Sequence, residues 1–173
     1  VRPYPVSYIA YLVHFHATRD YFECHELLEE YWKEHPGDGL ADLWVGLIQL
    51  AVGQYHERRG NFRGAGSLYR KSLSKLERVD VEAAGLARAD LLRKLEERAD
   101  AAGAENAEGY RDINLVVQDE KLKSLCLEEC ARLGVIWGTD STMVDESIIH
   151  RHKLRDRSGV IAARREALRA RKE

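Results

Sequence analysis

Proline and methionine are scarce in this chain, with 3 Pro and 1 Met in 173 residues. Together with only 13 Gly, that leaves too little punctuation for an all-β fold, which needs a turn signal roughly every 8–12 residues. No uninterrupted apolar run approaches the roughly 18 residues of a membrane span, so no membrane partner is expected. Arg2 and Pro3 lead into an amphipathic stretch instead of the apolar core of a signal peptide, and a cytoplasmic protein is the expectation. The three cysteines, Cys24, Cys126 and Cys130, cannot all pair within one chain. That excludes a disulfide framework and fits reduced thiols. The Walker loop, the dinucleotide fingerprint, the G-x-S-x-G elbow and the Cys-x-x-Cys pair are all missing.

What is present suffices for a packed core: 45% hydrophobic residues beside 32% charged ones. Net charge is −2, so the chain as a whole is no polyanion binder. The charge is unevenly placed, however. His150–Glu173 holds nine Lys/Arg against three acids, +6, which leaves −8 for residues 1–149. An acidic body with a basic tail predicts that the tail docks on the body or on an acidic partner.

Hydrophobic periodicity predicts an all-α fold, a small bundle of about five helices built from helical hairpins, with a short, mostly helical C-terminal extension. The helices read as 5–17, then from a cap at Asp20 to about His35, about 40–59, about 62–77, and from a cap at Asp80 to about Ala102. Pro36-Gly37 and Gly60-Asn61 break the pattern between them. Residues 1–103 form the expected bundle, and 104–118 a linker with an extended stretch at Ile113–Val117. Residues 119–173 form an extension with a helix from Asp119 to Leu133-Gly134 and a second, thinly apolar one over Ser158–Arg171. The two hairpins look like a loose duplicate offset by about forty residues, Asp20-Tyr21-Phe22 falling where Gly60-Asn61-Phe62 falls. The second also follows half of a tetratricopeptide pattern.

On a helical wheel, Glu23, Glu26, Glu30 and Lys33 of the second helix form its solvated face, while Cys24, Leu27, Leu28, Tyr31 and Trp32 face the core. His25 falls on the core side between Phe22 and Trp32. Glu29 is one turn further on, at the border. In the third helix a column of Gly46, Gln49, Gly53 and His56 edges a broad apolar arc. Glycine inside a helix costs roughly 1 kcal/mol relative to alanine, so Gly46 and Gly53 predict a close neighbour. The second helix is the expected neighbour, bringing His25 and Glu29 against Gln49 and His56 in one polar pocket framed by Phe22, Trp32, Gly46 and Gly53.

The strings Phe22-Glu23-Cys24-His25-Glu26-Leu27-Leu28-Glu29-Glu30-Tyr31-Trp32, Gly46-Leu47-Ile48-Gln49-Leu50-Ala51, His56, and Gly60-Asn61-Phe62-Arg63-Gly64-Ala65 resemble the bacterial DUF309 family over about residues 7–77. The tail string His150-Arg151-His152-Lys153-Leu154-Arg155-Asp156-Arg157-Ser158 is similar to that of its Bacillus-type members. The resemblance implies a small all-helical bundle and no assigned activity.

Two classes of function follow. The first is a binding or scaffold module for a protein or small-molecule partner, in which the His/Glu/Gln cluster sets helix register. The second is a metal-dependent hydrolase, in which His25, Glu29 and His56 hold Zn or Fe as a two-His, one-carboxylate set. The pattern departs from the zincin H-E-x-x-H because its fifth position is Glu29. A ferritin-like dimetal site is disfavoured, since no histidine here has a glutamate three residues before it. Cys126 and Cys130 share a helix face and read as core. Nucleic acid is a weaker third partner, through His150, Arg151, His152, Lys153, Arg155 and Arg157. That run has no interleaved aromatic to stack on bases. Homo-oligomerisation stays open.

Overall fold

The computed structural model describes residues 4–104 and 109–150, together with Arg165 and Arg169. Seven α-helices and no strand occur among the described residues: α1 Val6–Val13, α2 Tyr21–Glu34, α3 Ala41–Arg58, α4 Phe62–Leu76, α5 Arg88–Gly103, α6 Glu120–Leu133 and the short α7 Glu146–Ile149. The architecture is all-α, as the periodicity predicts. None of the described helices is long and apolar enough to cross a membrane.

Local signals account for several helix ends. Asp20 accepts from Glu23 N at 3.1 Å at the start of α2, and Asn61 from Gly64 N at 3.1 Å at the start of α4. The two caps share almost the same backbone, φ −86° and ψ 77° against φ −86° and ψ 73°, and they lie 41 residues apart, one more than the alignment of Asp20 with Gly60 gives. Asp119 caps α6, and Gly134 ends it in the left-handed region at φ 70°.

Two boundaries differ from expectation. α1 passes into a π-helical turn, His14–Thr18, followed by Arg19 at φ 55°. The widened turn carries both His16 and Arg19 inward, where they are 1% and 2% exposed. Asp80 caps only a turn, accepting from Ala83 N at 3.0 Å. Gly85, at φ 82° and packed closely against Leu122, then redirects the chain, so α5 starts eight residues after Asp80. Arg88, its first residue, donates to the carbonyls of Glu77 and Val79 just past the end of α4.

α3 is the central rod. It packs against α2 on one side, with Phe22–Tyr55 and Tyr31–Trp44 ring centroids 5.8 and 5.3 Å apart, which makes the two helices antiparallel. α4 lies on the other side and α5 packs beyond α4. α6 packs against α1. Ahead of α6, residues 109–118 cross the bundle outside any helix. An isolated antiparallel bridge, Leu86–Val117, anchors them there.

Candidate functional site

The glycines of α3 face α4, and this corrects the expected pocket. A Cβ on Gly53 would lie 2.6 Å from the Tyr69 ring, and one on Gly46 2.7 Å from Leu76 Cδ2. Ser72 Oγ also donates to Gly46 O at 2.7 Å. The close approach that the glycines permit is therefore α3 on α4. Gln49 and His56 are left on a different edge of α3. Val45, Ile48, Gln49, Val52 and His56 are each half-buried, while the rest of the helix from Leu43 to Tyr55 is buried. Their i, i+3, i+4, i+7, i+11 spacing makes one open stripe.

α2 borders that stripe with Phe22, His25, Glu29 and Trp32, all half-buried. His25 Nε2 lies 2.5 Å from Glu29 Oε2, with the side chains 23% and 34% exposed, so the i, i+4 pair forms at the edge of the surface and not deep in the core. Glu29 also pairs with Lys33 at 2.7 Å. Burial alone would raise the Glu29 pKa. The Lys33 hydrogen bond and the His25 charge outweigh it and hold the carboxyl below its usual value. The wheel places Glu26 with the solvated residues, yet it is buried, 4% exposed. That face of α2 is therefore not simply bathed in water.

His56 takes a separate partner, Asn61 Nδ2 at 3.2 Å from its Nδ1. Burial, then the neighbouring Arg59 charge, pulls its pKa down. Among the described residues, no three His, Cys, Asp or Glu side chains come together as a metal-holding group. The expected convergence of His25, Glu29 and His56 on one centre is accordingly not found. What the α2/α3 edge does hold is two polar atoms screened from water and without a hydrogen-bond partner, His25 Nδ1 and Gln49 Oε1.

The polar interior lies elsewhere, in residues that no sequence motif marks. Asp112 sits in the 110–115 segment with its side chain 4% exposed. It accepts from Tyr21 Oη and Tyr110 Oη at 2.6 Å each, from Ser141 Oγ at 2.5 Å and from Ser141 N at 2.8 Å. Arg19 lies 3.6 Å from it and also donates to Thr139 O and Asn114 Oδ1 at 2.6 and 2.7 Å. Gln54 Oε1 accepts from Ile113 N at 2.6 Å. Arg58 donates to Arg19 O and stacks 4.5 Å over Tyr21. Burial would raise the Asp112 pKa. The donated hydrogen bonds and the Arg19 charge overcome it and lower the value.

His16 forms a second tie. Its Nδ1 lies 2.7 Å from Leu12 O, and its Nε2 accepts from Leu115 N at 2.9 Å, so the ring is neutral with the proton on Nδ1. Trp137 stacks on it at 4.2 Å, with Lys123 Nζ 3.9 Å over the indole's ring. Burial pushes its pKa down to about 3. A third group is Glu57, fully buried, which accepts from Tyr69 Oη at 2.8 Å and pairs with Arg98 at 3.1 Å. All three groups join segments distant in sequence. Cys24 and Cys126 are fully buried and Cys130 nearly so, all three as free thiols.

A family model described as "Domain of unknown function (DUF309)" matches residues 8–68. The chain is also 45% identical over 172 residues to the uncharacterized protein YpuF of Bacillus subtilis (strain 168), covering 98% of each chain. The chain belongs to the DUF309 family. No solved structure matches it. The DUF309 match runs from α1 into α4, so it includes the whole α2/α3 edge. It stops short of the 110–115 segment that completes the Arg19–Asp112 network.

Of the basic tail, His150 is described: its Nδ1 accepts from Arg59 Nε at 3.1 Å, at the C-terminal end of α3. Arg151, His152, Lys153, Arg155 and Arg157 lie outside the described residues.

Proposed function

We propose that this DUF309 protein is a non-catalytic binding module whose α2/α3 edge receives a basic amphipathic helix of a partner protein. The observation that carries this reading is the half-buried stripe Val45, Ile48, Gln49, Val52 and His56 on a central helix that is otherwise buried from Leu43 to Tyr55. An apolar stripe of helical spacing is what a second helix packs against. α2, which borders the stripe, is acidic, with five glutamates against one lysine between Tyr21 and Glu34, of which Glu26 is buried and Glu29 is already paired with His25 and Lys33. His25 Nδ1 and Gln49 Oε1 support the same reading. A buried polar atom without a partner costs on the order of 1–3 kcal/mol, and a polar side chain on the incoming helix relieves that cost. Three buried, free cysteines favour a reducing cytoplasm as the setting.

The test is an NMR titration of the full chain with a synthetic amphipathic helix of Leu, Ala and Lys, beside the same helix with Glu for Lys. The basic helix is expected to perturb Val45, Ile48, Gln49, Val52 and His25, to weaken with salt, and to lose about tenfold or more in affinity in Ile48→Lys. Equal binding of both helices, or perturbations centred elsewhere, refutes the reading.

A further inference from the structure

We propose that the cleft between α5 and residues 111–114 binds a phosphate dianion, free or as the monoester of a small molecule. The cleft has a volume of about 270 Å³ and shares no residue with the α2/α3 edge, so it stands apart from the role proposed for that edge. Its walls carry four cations, Arg93, Lys94, Arg98 and Arg111, against the carboxylates of Glu97 and Asp112. Both carboxylates are already committed. Glu97 pairs with Arg93 at 3.3 Å, and the Asp112 side chain is 4% exposed and taken up by Tyr21, Tyr110 and Ser141. Lys94 and Arg98 are matched by Asp90 and Glu57, at 2.7 and 3.1 Å. Arg111 has no such counterpart. It is exposed and makes no hydrogen bond or ion pair among the described residues.

The donors on these walls are held in place and have capacity to spare. Lys94 donates to Asn114 O at 2.8 Å and Arg98 to Arg111 O at 2.6 Å, two rungs that brace α5 against the segment. Arg98 spends Nη1 on Glu57 and on Arg111 O, while its Nε and Nη2 make no hydrogen bond among the described residues. Asn114 Oδ1 accepts from Arg19 Nη2 at 2.7 Å, which fixes the amide and leaves Nδ2 as an unused donor. Two guanidinium groups and an amide with donors to spare complement a tetrahedral oxyanion, because a guanidinium meets phosphate oxygens in pairs. A braced site also loses little ordering entropy on binding. The lining narrows the occupant. It contains no aromatic side chain, so a nucleobase has nothing to stack on. The volume is below the roughly 300–1,000 Å³ of pockets that take drug-sized ligands, which leaves room for the phosphate and a short carbon chain.

The experiment titrates the full chain, in phosphate-free buffer of low ionic strength, with inorganic phosphate and separately with glycerol 3-phosphate, followed by NMR. The backbone signals of 111–114 and the Asn114 side-chain amide should shift and saturate. Arg111→Ala removes an exposed side chain without a partner and keeps the carbonyl that Arg98 uses, so the variant should fold as the parent does and bind about tenfold more weakly or worse. Arg132→Ala, which removes an exposed arginine of α6, should leave the affinity unchanged. Tighter binding of glycerol 3-phosphate assigns an ester as the ligand, and equal or tighter binding of inorganic phosphate assigns the free ion; either supports the site. The absence of saturable shifts, shifts scattered over basic residues elsewhere, an unchanged affinity in Arg111→Ala, or an equal loss in the two variants overturns the inference.

Discussion

Replacing Gly53 by alanine sets two opposing effects against each other at one position. Alanine is favoured over glycine in a helix interior by about 1 kcal/mol, and Gly53 lies well inside α3. On propensity alone Gly53→Ala stabilises. The added Cβ, however, would stand 2.6 Å from Tyr69 Cε1 and 2.8 Å from Cδ1. Tyr69 is fully buried, and its hydroxyl is committed to Glu57 at 2.8 Å. The ring has nowhere to go without stretching that bond. Overpacking costs roughly 1–3 kcal/mol, and weakening a hydrogen bond to a buried carboxylate adds roughly 1–2 kcal/mol. The net is a loss of about 2 kcal/mol, or a fall in Tm of about 4–8 °C for a chain of this size. Urea denaturation of the parent, Gly53→Ala, Tyr69→Phe and the double variant measures the coupling. In Tyr69→Phe the hydroxyl is gone and the ring is free to shift, so Gly53→Ala should cost less in that background. A stabilised Gly53→Ala, or equal cost in both backgrounds, would refute the close contact of α3 on α4.

Three further outcomes follow. His16 has its pKa lowered from 6.5 to about 3 by burial, so the unfolded chain binds a proton that the folded chain refuses between those values. The contribution of His16 is complete above about pH 6.5 and erodes towards pH 3, by about 1.4 kcal/mol per pH unit. Stability measured against pH should fall on acidification through that window, and should do so less steeply in His16→Gln, also when His56→Gln is present to remove the other histidine of lowered pKa. Asp112→Asn, which keeps the shape but loses the charge facing Arg19 and an acceptor for four donors, should lower unfolding free energy by about 3 kcal/mol; a change under about 0.5 kcal/mol would show that the network is not coupled to folding. His25→Leu removes a buried nitrogen without a partner together with the partly exposed pair to Glu29, and should leave Tm within a few degrees while weakening the synthetic basic helix in the same titration. A large Tm loss would instead make His25 a pin of helix register.

Much of the fold can be read from sequence because its determinants are local. Asp20, Asn61, Asp119 and Gly134 act within three or four residues of their own positions, and each ends or starts a helix where the pattern says. The glycines of α3 mark contact points, but a wheel shows only that a neighbour is close. It does not say which helix that neighbour is. Tyr69 and Leu76, which fill the space, carry no signal pointing back to Gly53 and Gly46. Arg19 and Asp112 escape a sequence reading because they stand in a short break and in a stretch that reads as linker. Their pairing depends on a π-turn, and no spacing rule announces one.

The two sets of polar groups differ in a way that bears on function. Asp112 receives four hydrogen bonds from three separate stretches of chain, and His16 uses both ring nitrogens. Asp112 and His16 have no capacity left for a ligand, although Arg58 beside them keeps Nε and Nη2 buried without a hydrogen-bond partner, and their physical effect is to clamp the 110–115 segment and the 137–141 loop onto the helices. At the α2/α3 edge the balance is reversed. His25 spends one nitrogen on Glu29 and Gln49 leaves its carbonyl oxygen unused, although both atoms are hidden from water. Unused hydrogen-bonding capacity beside an apolar stripe costs stability in the isolated chain. An incoming helix that buries the stripe and supplies the missing polar groups recovers that cost as binding free energy. Substitutions in the Asp112 and His16 ties should therefore register first in folding, and substitutions along the edge first in binding.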